Sequence, residues 1–84
     1  MANRDDTPMA IVRCRTRTGQ LAHIRTIDRA IRFIDMEVDS PIAAQSGFRV
    51  AREALHLVLD GRITIDEAHK SFVAALREAK LLVP

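Results

Sequence analysis

From Met9 to Thr18 the side chains alternate in character. Ala10, Val12, Cys14 and Thr16 fall on one parity, and Met9, Ile11, Arg13, Arg15 and Arg17 on the other. A period of two with β-branched residues predicts a strand, because successive side chains of extended backbone point to opposite faces. Thr18-Gly19-Gln20 reads as a turn, and Leu21 to Arg25 as the returning strand of a hairpin. A two-residue loop would set His23 on the face of Cys14. A three-residue loop containing Gly19 pairs even positions with even ones. Val12, Cys14, Thr16, Ala22 and Ile24 then line an inner face, and Arg13, Arg15, Arg17, His23 and Arg25 an outer one. The second register is preferred, since a slip of one residue would bury arginines. It leaves Met9, Ile11 and Leu21 on the outer side, where they need a cover: another subunit or the C-terminal tail.

After Arg25 the period becomes helical. Thr26 is suited to an N-cap, Asp28 to the first turn, and Ile27, Ala30, Ile31 and Ile34 form an apolar stripe that should end near Asp35 or Met36. Residues 37–46 show no clear period and read as a loop, although Ser40-Pro41 has the form of a helix start. A second stripe (Phe48, Ala51, Ala54, Leu55, Val58, Leu59) stops at Gly61. Thr64-Ile65-Asp66-Glu67 is a capping box, preceded by Ile63 as a staple against Ala68, and opens a third helix that buries Ala68, Phe72, Ala75, Leu76 and Ala79. So short a connection predicts antiparallel neighbours, and the alanines allow a close approach.

The apolar tail Lys80-Leu81-Leu82-Val83-Pro84 should pack on the core, as a short edge strand beside the hairpin. The expected order is ββααα, an α+β domain of residues 9–84 in two layers, because a two-stranded sheet is not stable alone. The polar residues 1–8 ahead of it are expected to be flexible.

Composition narrows the class. A chain of 84 residues makes one domain, and at this size only about 60% of the unfolded surface is buried. With 48% hydrophobic residues it should be globular. No apolar run approaches membrane-spanning length, so no membrane association is expected. The N-terminus lacks the apolar core of a secretory signal, and the single Cys14 has no internal disulfide partner, so a cytoplasmic setting is the simplest expectation. The net charge of +2 is unevenly spread: basic residues dominate up to Arg32, and Asp35, Glu37 and Asp39 follow.

The residues match a known pattern. Ile11-Val12-Arg13-Cys14 is followed by Ile24-Arg25-Thr26-Ile27-Asp28-Arg29-Ala30. Then come Ala51-Arg52-Glu53-Ala54-Leu55, the stop Leu59-Asp60-Gly61, and Ala68-His69-Lys70-Ser71-Phe72-Val73-Ala74-Ala75 through Glu78-Ala79. Across residues 9–83 the chain resembles the small alphaproteobacterial domain of unknown function 982 family. Members of that family tend to carry a tryptophan-proline pair in the middle loop and a glycine near the end of the last helix. Here Met36 to Pro41 has no tryptophan, and Lys80 stands near the glycine position. The resemblance implies a fold and brings no catalytic residues.

Candidate chemistry is sparse. Cys14 and His23 would form a nucleophile–base pair only in the rejected register, with no third orienting group and no oxyanion loop. His56 and His69 on adjacent helices lack the further ligands of a zinc site. Asp35, Glu37 and Asp39 lack the glycine and terminal glutamate of a calcium loop. No nucleotide-binding glycine fingerprint exists. The expectation is therefore no enzyme, catalytic residue, metal or cofactor. The preferred function is a protein-interaction or self-associating, homodimeric module that uses Met9, Ile11 and Leu21. The alternative is a nucleic-acid-binding module using Arg13, Arg15, Arg17, His23 and Arg25, although the chain has no tryptophan or tyrosine for base stacking.

Overall fold

A computed structural model describes residues 7–83. In chain order it contains β1 (Pro8–Arg15), β2 (Leu21–Thr26), α1 (Ile27–Met36), α2 (Ser40–Ala43), α3 (Ser46–Leu59) and α4 (Ile65–Glu78), an α+β arrangement. The strands pair antiparallel, with Val12 opposite Ile24, Arg13 opposite His23, Cys14 opposite Ala22 and Arg15 opposite Leu21. This is the even-with-even register. It is set by a three-residue loop, Arg17-Thr18-Gly19, one residue earlier than the expected turn. The Thr16 N–H donates to the Gln20 carbonyl (2.8 Å) and the Gly19 N–H to the Thr16 carbonyl (2.9 Å). Gly19 takes φ +86, which a side chain would oppose. Thr16 is only 8% exposed. Its hydroxyl accepts from the N–H groups of Thr18 (3.3 Å) and Gln20 (3.2 Å), so this polar group is satisfied on an inner face.

The start of β1 departs from the simple alternation. The register shifts between Pro8 and Val12, a bulge that turns Met9 half-buried against the core and leaves Ala10 exposed. Met9 therefore does not belong to the outer face with Ile11 and Leu21. The first strand also begins ahead of Met9, at Pro8. Pro8 lies opposite Thr26, and the Thr7 carbonyl accepts from the Ile27 N–H at 2.9 Å. The rest of the expected tail, residues 1–6, and Pro84 lie outside the described residues.

Helix α1 is capped as its sequence indicates, with the Thr26 hydroxyl accepting from the Arg29 N–H at 3.1 Å. Its buried stripe is wider than expected. Phe33 is fully buried between the expected positions and meets Phe72 edge-on, ring centroids 6.2 Å apart at 81°. Asp35 holds Arg52 of α3 through two hydrogen bonds of 2.7 and 3.2 Å. Residues 37–46 are not all loop. Pro41 sits in the first turn of the one-turn helix α2, Val38 is buried, and α3 opens at Ser46, before Phe48. Gly47 falls inside that first turn, on the side that faces α4. A β-carbon there would come 3.0 Å from a Glu78 carboxylate oxygen and 3.7 Å from Ala75.

Both long helices end in the same two-bond closure. After α3 the Arg62 N–H donates to the Leu57 carbonyl (2.8 Å) and the Gly61 N–H to that of Val58 (2.9 Å), with Gly61 at φ +73. After α4 the Leu81 N–H donates to the Leu76 carbonyl (2.9 Å) and the Lys80 N–H to that of Arg77 (3.1 Å). Here the left-handed residue is Lys80, at φ +61. At the start of α4 the Thr64 hydroxyl accepts from the Glu67 N–H at 3.2 Å; the return arm from Glu67 does not form among the described residues.

The Lys80 turn sends the tail back along β1. The Arg15 N–H donates to the Leu81 carbonyl (2.8 Å), the Val83 N–H donates to the Arg13 carbonyl (2.9 Å), and Leu82 lies opposite Cys14. The tail is thus the expected short edge strand, and β1 runs between it and β2.

Two substitutions test these closures with opposite signs. Gly61→Ala should lower stability by about 1 kcal/mol, through backbone strain alone, because nothing lies within 4 Å of the added β-carbon. Lys80→Gly should raise it by about 0.5–1 kcal/mol by relieving the same strain. Urea unfolding of both variants reads the pair.

Candidate interaction surface

The helices cover one face of the sheet. Val12, Cys14, Thr16, Ala22 and Ile24 are buried against them, whereas Ile11, Arg13, Arg15, Leu21, His23 and Arg25 are exposed on the other face. The loop bond from Thr16 to Gln20 makes the even positions the hydrogen-bonded pairs of β1 and β2. Arg13–His23 and Arg15–Leu21 are then the close, non-hydrogen-bonded pairs, with Cα atoms about 4.5 Å apart. Along each strand the side chains on one face repeat at about 7 Å. Arg13, Arg15, His23 and Arg25 thus form a compact basic array with no acid among those outer positions.

Arg15 is steered toward the loop, its Nη1 donating to the Gly19 carbonyl at 3.0 Å. Arg17 belongs to the loop rather than the strand. Its N–H donates to the Glu37 carbonyl at 2.8 Å and its side chain is exposed at the same end. Ile11 (52% exposed) and Leu21 (51% exposed) give this face an apolar component. The expected self-association trio is therefore divided. Met9 and the tail leucines are packed within the chain, and Ile11 and Leu21 remain outside.

The two edges of the sheet differ. The tail closes the outer edge of β1. Between Leu21 and Ile24 the even residues of β2 turn their backbone groups toward β1, so the N–H and C=O of Leu21 and His23 point away from it. No described residue pairs with them. The alternation in the sequence located the basic face; the open edge could not be located without knowing which strand the tail joins.

The other candidates come apart. Cys14 is fully buried on the inner face and His23 lies on the outer one, so they form no pair. Burial pushes the Cys14 thiol up to about 11, against a smaller opposing effect of Arg29. Among the described residues no three His, Cys, Asp or Glu side chains are grouped to hold a metal ion. His56 is exposed; His69 is half-buried with Nε2 shielded and unpartnered among the described residues. It borders a shallow cleft on α4 of about 330 Å³. A second shallow groove runs between α3 and α4 past Gly47, Val50, Ser71 and Ala74. Among the described residues no helix is long and apolar enough to cross a membrane.

These features define a small α+β domain whose sheet is covered on one face and presents a basic, partly apolar surface on the other. The sequence model of the family described as "Protein of unknown function (DUF982)" matches residues 12–83, and the chain belongs to that family. No curated protein and no solved structure matches it.

Burial of Cys14 has a measurable consequence. In the folded protein the thiol should resist thiol-specific reagents at pH 8 and react only on unfolding. Because its folded pKa lies above the ordinary value of 9.0, the unfolded chain loses this proton first as pH rises. Stability should therefore fall between about pH 9 and 11, and a Cys14→Ala variant should lack that component in unfolding curves taken across the range.

Proposed function

We propose that this chain is a non-enzymatic protein-interaction module whose open sheet face receives an acidic partner surface. The carrying observation is the basic array of Arg13, Arg15, His23 and Arg25 beside the half-exposed Ile11 and Leu21. Such a face has a hydrophobic component for affinity and one sign of charge for selection and steering. A second copy docked face to face would bring like charges together, so a homodimer suits this face less well than a partner of opposite charge. A reducing, cytoplasmic setting fits the reading, since Cys14 then persists as a buried thiol. The same arginines support nucleic-acid binding as a second reading, because their spacing is comparable to that of backbone phosphates. The lack of tryptophan and tyrosine weighs against base stacking.

Titration with poly-L-glutamate and with a mixed-sequence DNA duplex at low salt separates the two. Poly-L-glutamate should bind, weaken strongly on going to 0.15 M salt, where the screening length is about 8 Å, and lose about tenfold in affinity with Arg15→Ala plus Arg25→Ala. Tighter binding of DNA than of polyglutamate would favour the second reading, and binding of neither would end both.

A further inference from the structure

We propose that the partner engages this domain by strand addition: an extended acidic segment pairs with the open edge of β2 and continues the sheet. The proposal rests on the acidic-partner reading above and specifies its mode.

Three observations converge on the edge. The backbone groups of Leu21 and His23 point away from β1 and have no backbone partner among the described residues, whereas beyond the bulge the ladder shifts and Arg25 flanks the Pro8–Thr26 pair. Such a row of donors and acceptors is a template for another strand. The opposite edge is closed by the tail through the Arg15–Leu81 and Val83–Arg13 bonds, so the fold protects one side of the hairpin and not the other. Of the common devices that blunt an edge, β2 has neither proline nor bulge: its sequence is Leu-Ala-His-Ile-Arg-Thr, and the bulge lies in β1.

Charge selects the occupant. A strand added to β2 sets its outward side chains directly beside Leu21, His23 and Arg25, with Arg13 and Arg15 one strand further in. Opposite charges at such cross-strand positions attract and like charges repel. A second copy pairing antiparallel about His23 would place His23 on its own equivalent and extend an already basic face. An acidic strand neutralises that face instead. The arginines that discourage self-pairing thereby admit one class of partner.

The probe is a blocked nine-residue peptide alternating glutamate and valine, titrated at low salt. A control peptide of the same sequence and charge carries an N-methyl group on every glutamate and valine, so it has no N–H to give to a ladder in either direction. The first should bind at least tenfold more tightly than the second, with new hydrogen-exchange protection of the Leu21 and His23 amides. His23→Pro removes an N–H that β1 does not use. It should keep the fold by circular dichroism, lose at least tenfold in affinity for the first peptide, and hold polyglutamate within about twofold.

Equal binding of the two peptides, or binding without protection of these amides, overturns strand addition and leaves the acidic-partner reading standing. Binding of neither peptide nor polyglutamate removes both. A sedimentation mass of twice 9.4 kDa with these amides already protected would mean that a second copy holds the edge, and overturns the acidic strand.

Discussion

The placement of every side chain on the sheet depends on one turn. The loop Arg17-Thr18-Gly19 fixes an even-with-even register, and because strand side chains alternate, a shift of one residue would exchange the two faces completely. The inner face would then receive arginines in place of Val12, Cys14 and Ile24. Burying unpaired guanidinium groups costs far more than a turn can supply, so loop geometry and hydrophobic pattern specify the same answer. Thr16 joins the two. Its hydroxyl binds the loop amides of Thr18 and Gln20 and at the same time occupies the last position of the buried row.

The helices are subordinate to that sheet and support it from one side. α1 follows β2 directly through the Thr26 cap, and α4 returns the chain to β1 through the Lys80 turn. The link between them is compact: Phe33 of α1 meets Phe72 of α4, and Gly47 of α3 lets Glu78 and Ala75 approach. The Asp35–Arg52 pair bridges α1 and α3 at the surface with both side chains more than two-fifths exposed, where such a pair contributes about 0–1 kcal/mol. Packing of small and aromatic side chains carries the helical layer, and its surface charges contribute little to holding it together.

Most of this was legible wherever local chemistry and tertiary packing agree. The register, the Thr26 and Thr64 caps, the Gly61 stop and the tail strand could all be read from short patterns with a physical mechanism. The misses occurred where an irregularity or a distant partner decides. The bulge that turns Met9 inward breaks parity without any glycine to announce it. Gly47 sits inside α3 where α4 passes close, a proximity the local sequence does not show. The buried Phe33 lies off the narrow stripe, because α1 packs against both β2 and α3 and so buries a wider arc. For the candidate surface, the alternation identified the basic residues, and only the three-dimensional pairing shows which edge remains open.

The position of the tail strand has a consequence for how the chain is made. Cys14 and Leu82 lie opposite each other, with nearly the whole domain between them in sequence. During synthesis the hairpin can form early, since its contacts are local, but closure of the β1 edge must wait for residues 81–83. Until then β1 and β2 are a ribbon with both edges open and no third strand, the form most prone to pairing with another nascent copy. Like charges on the outer faces of two such ribbons repel, which opposes that pairing while the β1 edge is open.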